Sequence, residues 1–102
     1  MAKRVVVWTI TASKQRREIL RYWTIKNGST LYAEKLVRLI KVRIRAIYRN
    51  PDIFKPTTFQ DVRVSSLGHF SLYYKTTETT IIIVAFWDNR QDPKKLLEDI
   101  KS

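Results

Sequence analysis

Residues Thr79–Arg90 read Thr-Thr-Ile-Ile-Ile-Val-Ala-Phe-Trp-Asp-Asn-Arg, and this stretch decides the fold. Its centre, Ile81–Trp87, holds seven consecutive apolar residues, most of them β-branched or aromatic. A short apolar run without polar alternation is typical of a strand that is buried on both faces. We therefore predict that Thr79–Trp87 is a central strand and that it presents Arg90 at its carboxyl end.

A β-branched run at the start of the chain precedes the first helix. Lys3–Ile10 predicts an N-terminal strand that joins the sheet. The segment from Thr11 to Lys26 contains no proline or glycine and has apolar residues at helical spacing, which predicts a helix with Thr9 or Thr11 as its N-cap. Asn27-Gly28 ends this helix because glycine readily adopts the positive φ of a C-cap.

A second helix is expected from Ser29 or Thr30 to Arg49, where Asn50-Pro51 ends it. The short Asn-Gly link makes the two helices an antiparallel hairpin. One side of the second helix is an apolar row of Ala33, Leu36, Val37, Ile40, Ile44 and Ile47. Another side carries cations at spacings of three and four residues, namely Arg38, Lys41, Arg45 and Arg49.

The rest of the chain predicts a three-stranded antiparallel meander over Phe59–Val64, Phe70–Lys75 and Thr79–Trp87, linked by Ser65–Gly68 and Thr76–Glu78. Alternate residues of a strand face opposite sides of the sheet. We expect the helical hairpin to cover the face with Phe70, Leu72 and Tyr74. The other face should stay partly open, and it carries His69, Ser71, Tyr73 and Lys75.

A short amphipathic helix ends the chain, with Asp92 as its cap, Pro93 at the first helical position and apolar residues Leu96, Leu97 and Ile100. The 102 residues suffice for one compact domain. The prediction is therefore a single α+β domain over residues 1–102, consisting of an N-terminal strand, a helical hairpin, a meander and a C-terminal helix.

The composition excludes several kinds of chemistry. The chain has no cysteine and one histidine, which removes disulfides, thiol catalysis and a plausible zinc site, so no metal or cofactor is expected. The apolar runs are too short to span a bilayer, and the basic N-terminus lacks a leader-like apolar core. We expect no membrane partner and a cytoplasmic location.

The net charge of +11 is concentrated in one half of the chain. Residues 1–50 hold 13 Lys/Arg and two Glu, whereas residues 51–102 hold seven basic and seven acidic residues. Such an excess predicts an acidic partner, either nucleic acid, an anionic surface or an acidic protein segment. Two acids cannot neutralise 13 cations, so the row of Arg38, Lys41, Arg45 and Arg49 is a candidate for phosphate contact or for docking of an acidic protein.

Several short motifs occur in a recognisable order along these elements: Val7-Trp8-Thr9, Tyr22-Trp23, Asn50-Pro51, Gly68–Lys75 and Phe86–Pro93. The order and spacing resemble the RelE/ParE superfamily of bacterial toxins over nearly the whole chain. The resemblance implies the toxin of a type II toxin–antitoxin pair, with a role in plasmid stabilisation and a cognate antitoxin that carries an acidic segment. RelE-like members cleave messenger RNA on the ribosome and ParE-like members poison DNA gyrase, and the fold alone does not choose between these targets.

Metal-free RNA cleavage requires a general base, a general acid and cations for the charged phosphorane. RelE-like ribonucleases carry two alternate basic residues in the first meander strand, an arginine in the next strand, an arginine at the end of the last strand and a tyrosine in the tail. By resemblance Arg63 and Arg90 match two of these positions. Asp61, Ser71 and Leu96 stand at the other three.

A rearranged site that uses His69 or Tyr73 remains possible, so the candidate catalytic residues are Arg90, Arg63, His69 and Tyr73. If the protein is an enzyme, it is expected to be a metal-independent endoribonuclease. Each candidate also has a structural interpretation; Arg90, for example, can pair with Asp88 or Asp92. Two alternatives to an active toxin are a basic nucleic-acid-binding module and a degenerate toxin that only binds its antitoxin.

Overall fold

The computed structural model describes residues 3–101, and within them the chain forms five strands and three helices. Their order is β1 Val5–Trp8, α1 Ile10–Asn27, α2 Leu31–Arg49, β2 Lys55–Pro56, β3 Arg63–Leu67, β4 Phe70–Thr76, β5 Thr80–Asp88 and α3 Pro93–Lys101. One sheet contains the strands in the order β1-β5-β4-β3-β2, with β1 parallel to β5 and the other pairs antiparallel. The predicted α+β fold is therefore confirmed.

Strand β5 lies inside the sheet and is buried along most of its length. Ile81, Ile83 and Phe86 are 0% exposed, as the uninterrupted apolar run predicts. The helical hairpin covers one face of the sheet, and the predicted inward side chains of β4 are all buried there. Tyr74 keeps its hydroxyl satisfied by donating a hydrogen bond of 2.7 Å to the carbonyl oxygen of Pro51. Such pairing removes the cost of burying a phenol.

Helix α1 follows the predicted capping chemistry at both ends. The Thr9 side chain accepts a hydrogen bond of 3.1 Å from the backbone N–H of Ala12, and Gly28 ends α1 with φ +62°. At α2 the N-cap is Thr30, but its side chain makes no capping hydrogen bond; the preceding Ser29 hydroxyl accepts from the backbone N–H of Leu31 at 3.2 Å. Strand β1 is shorter than Lys3–Ile10 because the chain already enters α1 at Ile10.

The first meander strand was predicted four residues too early. The structure places β3 at Arg63–Leu67, so most of Phe59–Val64 is turn and the predicted Ser65–Gly68 link is mainly strand. A two-residue turn explains the shift, because Gly68 has φ +61° and occupies the first turn position, while Leu67 pairs with Phe70. Short strand β2, in the expected loop, pairs with β3 at the sheet edge.

The second face of the sheet is less open than predicted, because α3 packs on it. Leu96 of α3 joins a buried cluster with Ala85 and Trp87, and Tyr73 is half-buried against that cluster. A β-bulge beside Tyr73 leaves Val84 without a partner in β4. The sequence predicted helix α3, but it did not predict that α3 packs on this face of the sheet.

Candidate functional site

Arg90 lies just past β5 and is held by Asp88. Its Nε and Nη2 donate to Oδ1 and Oδ2 of Asp88 at 2.9 and 2.6 Å, and Asp88 Oδ1 also accepts from the backbone N–H of Arg90 at 3.0 Å. The Asp88 side chain is 10% exposed and that of Arg90 is 50% exposed. The structure therefore contains the ion pair with Asp88 that was one structural interpretation of Arg90. The outer edge of the guanidinium still faces solvent.

Aromatic rings of the helical hairpin surround this ion pair. The Arg90 guanidinium lies 5.1 Å from the ring centre of Trp23, and the Lys26 ammonium lies at the same distance from that ring. Tyr22 and Tyr32 contact Trp23 at ring-centre distances of 5.3 and 5.1 Å. Cation–π contact and the carboxylate together fix the orientation of the Arg90 side chain.

A cavity of about 500 Å³ opens beside Arg90, between α1, the end of β5 and α3. Its wall combines aromatic, amide, cationic and acidic side chains, among them Gln15, Glu18, Trp23, Arg90, Lys95 and Asp99. This volume is within the usual range of ligand sites. The cavity is the main concave feature near the predicted site residues.

Gln15 links the three elements that form the cavity, and sequence reasoning missed it. Strand β1 pairs with β5 only as far as Ile83, so the next part of that edge lacks a strand partner. The Gln15 side chain replaces it by accepting from the backbone N–H of Phe86 at 2.8 Å, and it donates to Oδ2 of Asp99 in α3 at 2.9 Å. The sequence did contain one signal for this role: Gln15 is a polar residue between Ala12 and Ile19, on the side of α1 that is buried.

Arg63 lies at the opposite end of β3 from the Arg90 region. It donates to the carbonyl oxygen of Phe54 at 2.7 Å and contacts the Asp52 carboxylate at 3.7 Å, so it fastens the loop before β3. His69 follows β3 at the other end, six residues farther along the chain, and the strand from Arg63 to Leu67 alone spans about 13 Å. The structure does not bring Arg63 together with His69 and Arg90.

His69 and Tyr73 also occupy different environments. His69 is exposed in the turn before β4, where its carbonyl oxygen accepts from the backbone N–H of Asn89 at 2.9 Å. Tyr73 faces α3, whereas Arg90 stacks on a ring of the helical hairpin, so the two side chains lie on opposite sides of the sheet. Burial raises the pKa of Tyr73, which keeps its phenol protonated near neutral pH.

The second helix presents its cations to solvent. Arg38, Lys41, Arg45 and Arg49 are all exposed, and none takes part in an ion pair within residues 3–101. Beside Lys41 an apolar groove of about 420 Å³ runs between the helices of the hairpin. Its lining consists of Trp8, Arg16, Leu20, Val37, Ile40, Lys41 and Ile44.

Over residues 3–101 no three His, Asp or Glu side chains come close enough together to hold a metal ion. In the same part of the chain, no helix combines the length and the apolar character needed to cross a membrane.

The Asp88–Arg90 pair makes a testable contribution to acid stability. Hydrogen bonds from the Arg90 side chain, opposed by burial, lower the pKa of Asp88. A carboxyl with a lowered folded-state pKa stabilises the fold above its unfolded pKa, near 4, and this contribution is lost as the pH falls through the folded pKa. We expect the free energy of unfolding, measured by urea denaturation from about pH 7 to about pH 3, to fall less steeply in Asp88→Asn than in the unmodified protein.

The control for that series is Glu98→Gln, which removes an exposed carboxylate with no partner in the described residues. This variant should keep the pH dependence of the unmodified protein. Parallel curves for all three proteins would contradict a stabilising role for the Asp88–Arg90 pair.

Comparison with known proteins gives the family. A solved structure described as the chromosomal ParDE TA system from P. aeruginosa is similar to this chain, with a TM-score of 0.69, 20% sequence identity and coverage of 82% of this chain and 94% of that chain. No curated protein matches the sequence. The family model of the ParE toxin of the type II toxin–antitoxin system parDE matches residues 6–93. The chain therefore belongs to the ParE toxin family of type II toxin–antitoxin systems.

Proposed function

We propose that this protein arrests bacterial growth by binding DNA gyrase in the cytoplasm, does not cut RNA itself, and is neutralised by a cognate antitoxin. Membership of the ParE family supports a toxin, and the resemblance to ParE-like members of the superfamily favours gyrase. The observation that carries the choice of target is the position of two of the four candidate catalytic residues: Arg63 and Tyr73 lie away from Arg90, and only His69 lies near the Asp88–Arg90 pair.

RNA cleavage by the 2′-hydroxyl would need a base, an acid and cations around one phosphate, within hydrogen-bond reach of the reacting atoms. Arg63 donates to the Phe54 carbonyl, and two donors of Arg90 are used by Asp88. Tyr73 lies under α3 with a raised pKa, which disfavours it as a base. His69 remains as a single exposed imidazole, and one such group does not supply both proton transfers together with charge stabilisation.

Arg90 fits a role in binding better than a role in catalysis. Its guanidinium is held by a carboxylate and an aromatic ring, yet half of the side chain faces solvent beside the cavity. A preorganised arginine next to exposed Tyr22 has the composition of an interface anchor, since Arg and Tyr are enriched at binding hot spots. The cavity rim around Arg90 is therefore the proposed contact with the target.

The groove between the helices of the hairpin fits an antitoxin segment that is acidic and amphipathic. Leu20, Val37 and Ile44 offer apolar contact, and Arg16 and Lys41 add positive charge to the same groove. An amphipathic helix docks in such a groove through apolar side chains at helical spacing, and acidic flanks would pair with the cations. The acidic balance of the antitoxin is the expected complement of the basic first half of this chain.

Induced expression in a bacterium, with pulse labelling of protein and DNA synthesis, tests the choice of target. We expect DNA synthesis to stop first, with equal arrest by the unmodified protein and by the double variant His69→Ala/Tyr73→Phe, because neither side chain lines the cavity beside Arg90. Arg90→Ala should weaken the arrest, because it removes the anchor beside the cavity. In vitro, gyrase-dependent DNA cleavage should rise with the unmodified toxin and much less with Arg90→Ala.

Other results would favour other functions. Early loss of protein synthesis that the double variant abolishes would replace this proposal with RNA cleavage on the ribosome. No arrest of either synthesis, together with a tight complex with the neighbouring antitoxin, would indicate a degenerate toxin. Nucleic-acid binding without arrest or antitoxin binding would indicate a simple binding module.

A further inference from the structure

The outward surface of the helical hairpin carries eight exposed cations, contributed by both helices. Each is exposed, and none donates a hydrogen bond or forms an ion pair within residues 3–101. We call this surface the cationic face, and it consists of Lys14, Arg17 and Arg21 on α1 and Lys35, Arg38, Lys41, Arg45 and Arg49 on α2.

Helical geometry places the α1 cations away from the protein core. The buried residues of α1 are Ala12, Gln15 and Ile19. At about 100° per residue, Arg17 and Arg21 lie within about 30° of the direction opposite to that buried side. The second helix behaves in the same way, since its buried residues are Ala33, Leu36, Ile40 and Ile47, and Arg38, Arg45 and Arg49 lie opposite to them. The arginines of both rows therefore point away from the core, whereas Lys41 lies at the edge of the face, beside the groove between the helices.

The cations of the cationic face differ from the other three cations of the hairpin, which make hydrogen bonds or stack on aromatic rings within the protein. Arg43 donates to the Ser65 hydroxyl at 2.6 Å and to the Ser66 carbonyl at 2.7 Å. Arg16 stacks 4.1 Å from the ring centre of Trp8, and Lys26 stacks on Trp23. The eight remaining cations have no such role, and the only acids in the two helices are Glu18 and Glu34. Their mutual repulsion is relieved by a polyanionic partner.

We propose that the cationic face binds the sugar–phosphate backbone of duplex DNA without sequence preference. This inference rests on the proposed function, because a gyrase poison acts where the enzyme holds DNA. The row from Arg38 to Arg49 spans about 16 Å at 1.5 Å per residue. Packed helices lie about 8–10 Å apart, so the spacing of the two rows falls between the widths of the two DNA grooves, about 6 and 12 Å. The rows can contact phosphates on both sides of one groove.

The composition of this face favours duplex DNA over the other polyanions. Single-strand binders use several aromatic side chains as stacking platforms, whereas the α2 cations have one exposed ring in line with them, Tyr48, two turns after Lys41. A docked acidic helix would need a continuous apolar row. The exposed apolar side chains in line with the α2 cations are Leu31 and Val42, which are eleven residues, or about three turns, apart. Those in line with the α1 cations are Ile10 and Ile25, fifteen residues apart, so neither helix has a continuous apolar row on this face.

Fluorescence anisotropy with a labelled mixed-sequence DNA duplex of about 20 base pairs tests the inference on the full-length protein. Between about 50 and about 200 mM salt, log K should fall linearly with log salt, with a slope of about −0.9 per phosphate contact. The triple variant Arg17→Gln/Arg38→Gln/Arg45→Gln should bind at least about tenfold more weakly at about 50 mM salt, and its slope should be shallower by about three.

A matched control removes the same charge elsewhere. Lys55→Gln/Lys75→Gln/Lys94→Gln changes three exposed lysines outside the hairpin, and its affinity should stay within about twofold of the unmodified protein. Equal losses in the two triple variants would overturn the inference, because net charge alone would then explain binding. It would also be overturned by absent DNA binding at low salt, or by preference for RNA, single strands or a polyglutamate peptide.

The DNA-binding measurement contains no gyrase, so its failure is distinct from failure of the proposed function. Loss of gyrase-dependent DNA cleavage in the triple arginine variant, but not in the triple lysine control, would connect DNA binding by the cationic face with the action on gyrase. If the toxin binds DNA but gyrase is not its target, this inference stands while the proposed target falls. Circular dichroism of both variants should match the unmodified protein, since every substituted side chain is exposed.

Discussion

Replacing Phe86 by alanine is expected to destabilise the protein by about 3–5 kcal/mol, the largest effect of any single substitution considered. Phe86 lies in β5 with 0% exposure and stacks on Phe70 at a ring-centre distance of 5.4 Å. Truncation removes buried apolar area and leaves a cavity, because the surrounding strands relax only partly. A chain of this size has about 5–15 kcal/mol of stability in total, so a large share of it would be lost.

Urea denaturation followed by circular dichroism measures this effect, as a lower midpoint at an unchanged slope. Leu97→Ala is the matched control, because Leu97 of α3 is 40% exposed and its truncation should cost less than about 0.5 kcal/mol. A loss below about 1 kcal/mol for Phe86→Ala would contradict the central position of this side chain in the core.

The elements with strong hydrophobic patterns could be predicted from the sequence. Strand β5 was recognisable because an apolar run ends abruptly at Asp88, and α2 was recognisable because its apolar row repeats every three or four residues. Strand β3 was misplaced because a two-residue turn at Gly68-His69 was interpreted as part of a longer link. The backbone of the glycine, rather than any hydrophobic pattern, sets that boundary.

The candidate site was predictable only where it is local in sequence. Arg90 and Asp88 are two residues apart, so their pairing was a visible possibility. The stacking of Arg90 on Trp23 and the hydrogen bond from Gln15 to Asp99 join residues far apart in the chain. The first contact depends on how α1 packs beside the end of β5 and the second on how α3 returns to the sheet, and a single sequence contains no periodic signal for either arrangement.

Replacing Gln15 by leucine is expected to destabilise the protein by about 1–3 kcal/mol and to loosen α3. Leucine has a similar volume, so the change mainly removes hydrogen bonds. The backbone N–H of Phe86 loses its acceptor on the open half of the β5 edge, and a buried unpaired N–H carries the full cost of desolvation. Asp99 also loses the donor that joins α3 to α1.

Urea denaturation measures the stability loss, and amide hydrogen exchange locates it: the Phe86 N–H and the amides of α3 should exchange faster in Gln15→Leu, while those of α2 change only with global stability. Gln91→Leu is the control, since Gln91 is exposed and its side chain makes no hydrogen bond in the described residues.

Gln15→Glu tests the hydrogen bond to Phe86 separately from the hydrogen bond to Asp99. Its carboxylate can still accept from Phe86, but it places a second charge beside Asp99, so this variant should recover stability as the pH falls and the pair takes up a proton. Unchanged exchange at Phe86 in Gln15→Leu would show that water or a shifted backbone satisfies the edge, and that Gln15 does not hold the cavity walls together.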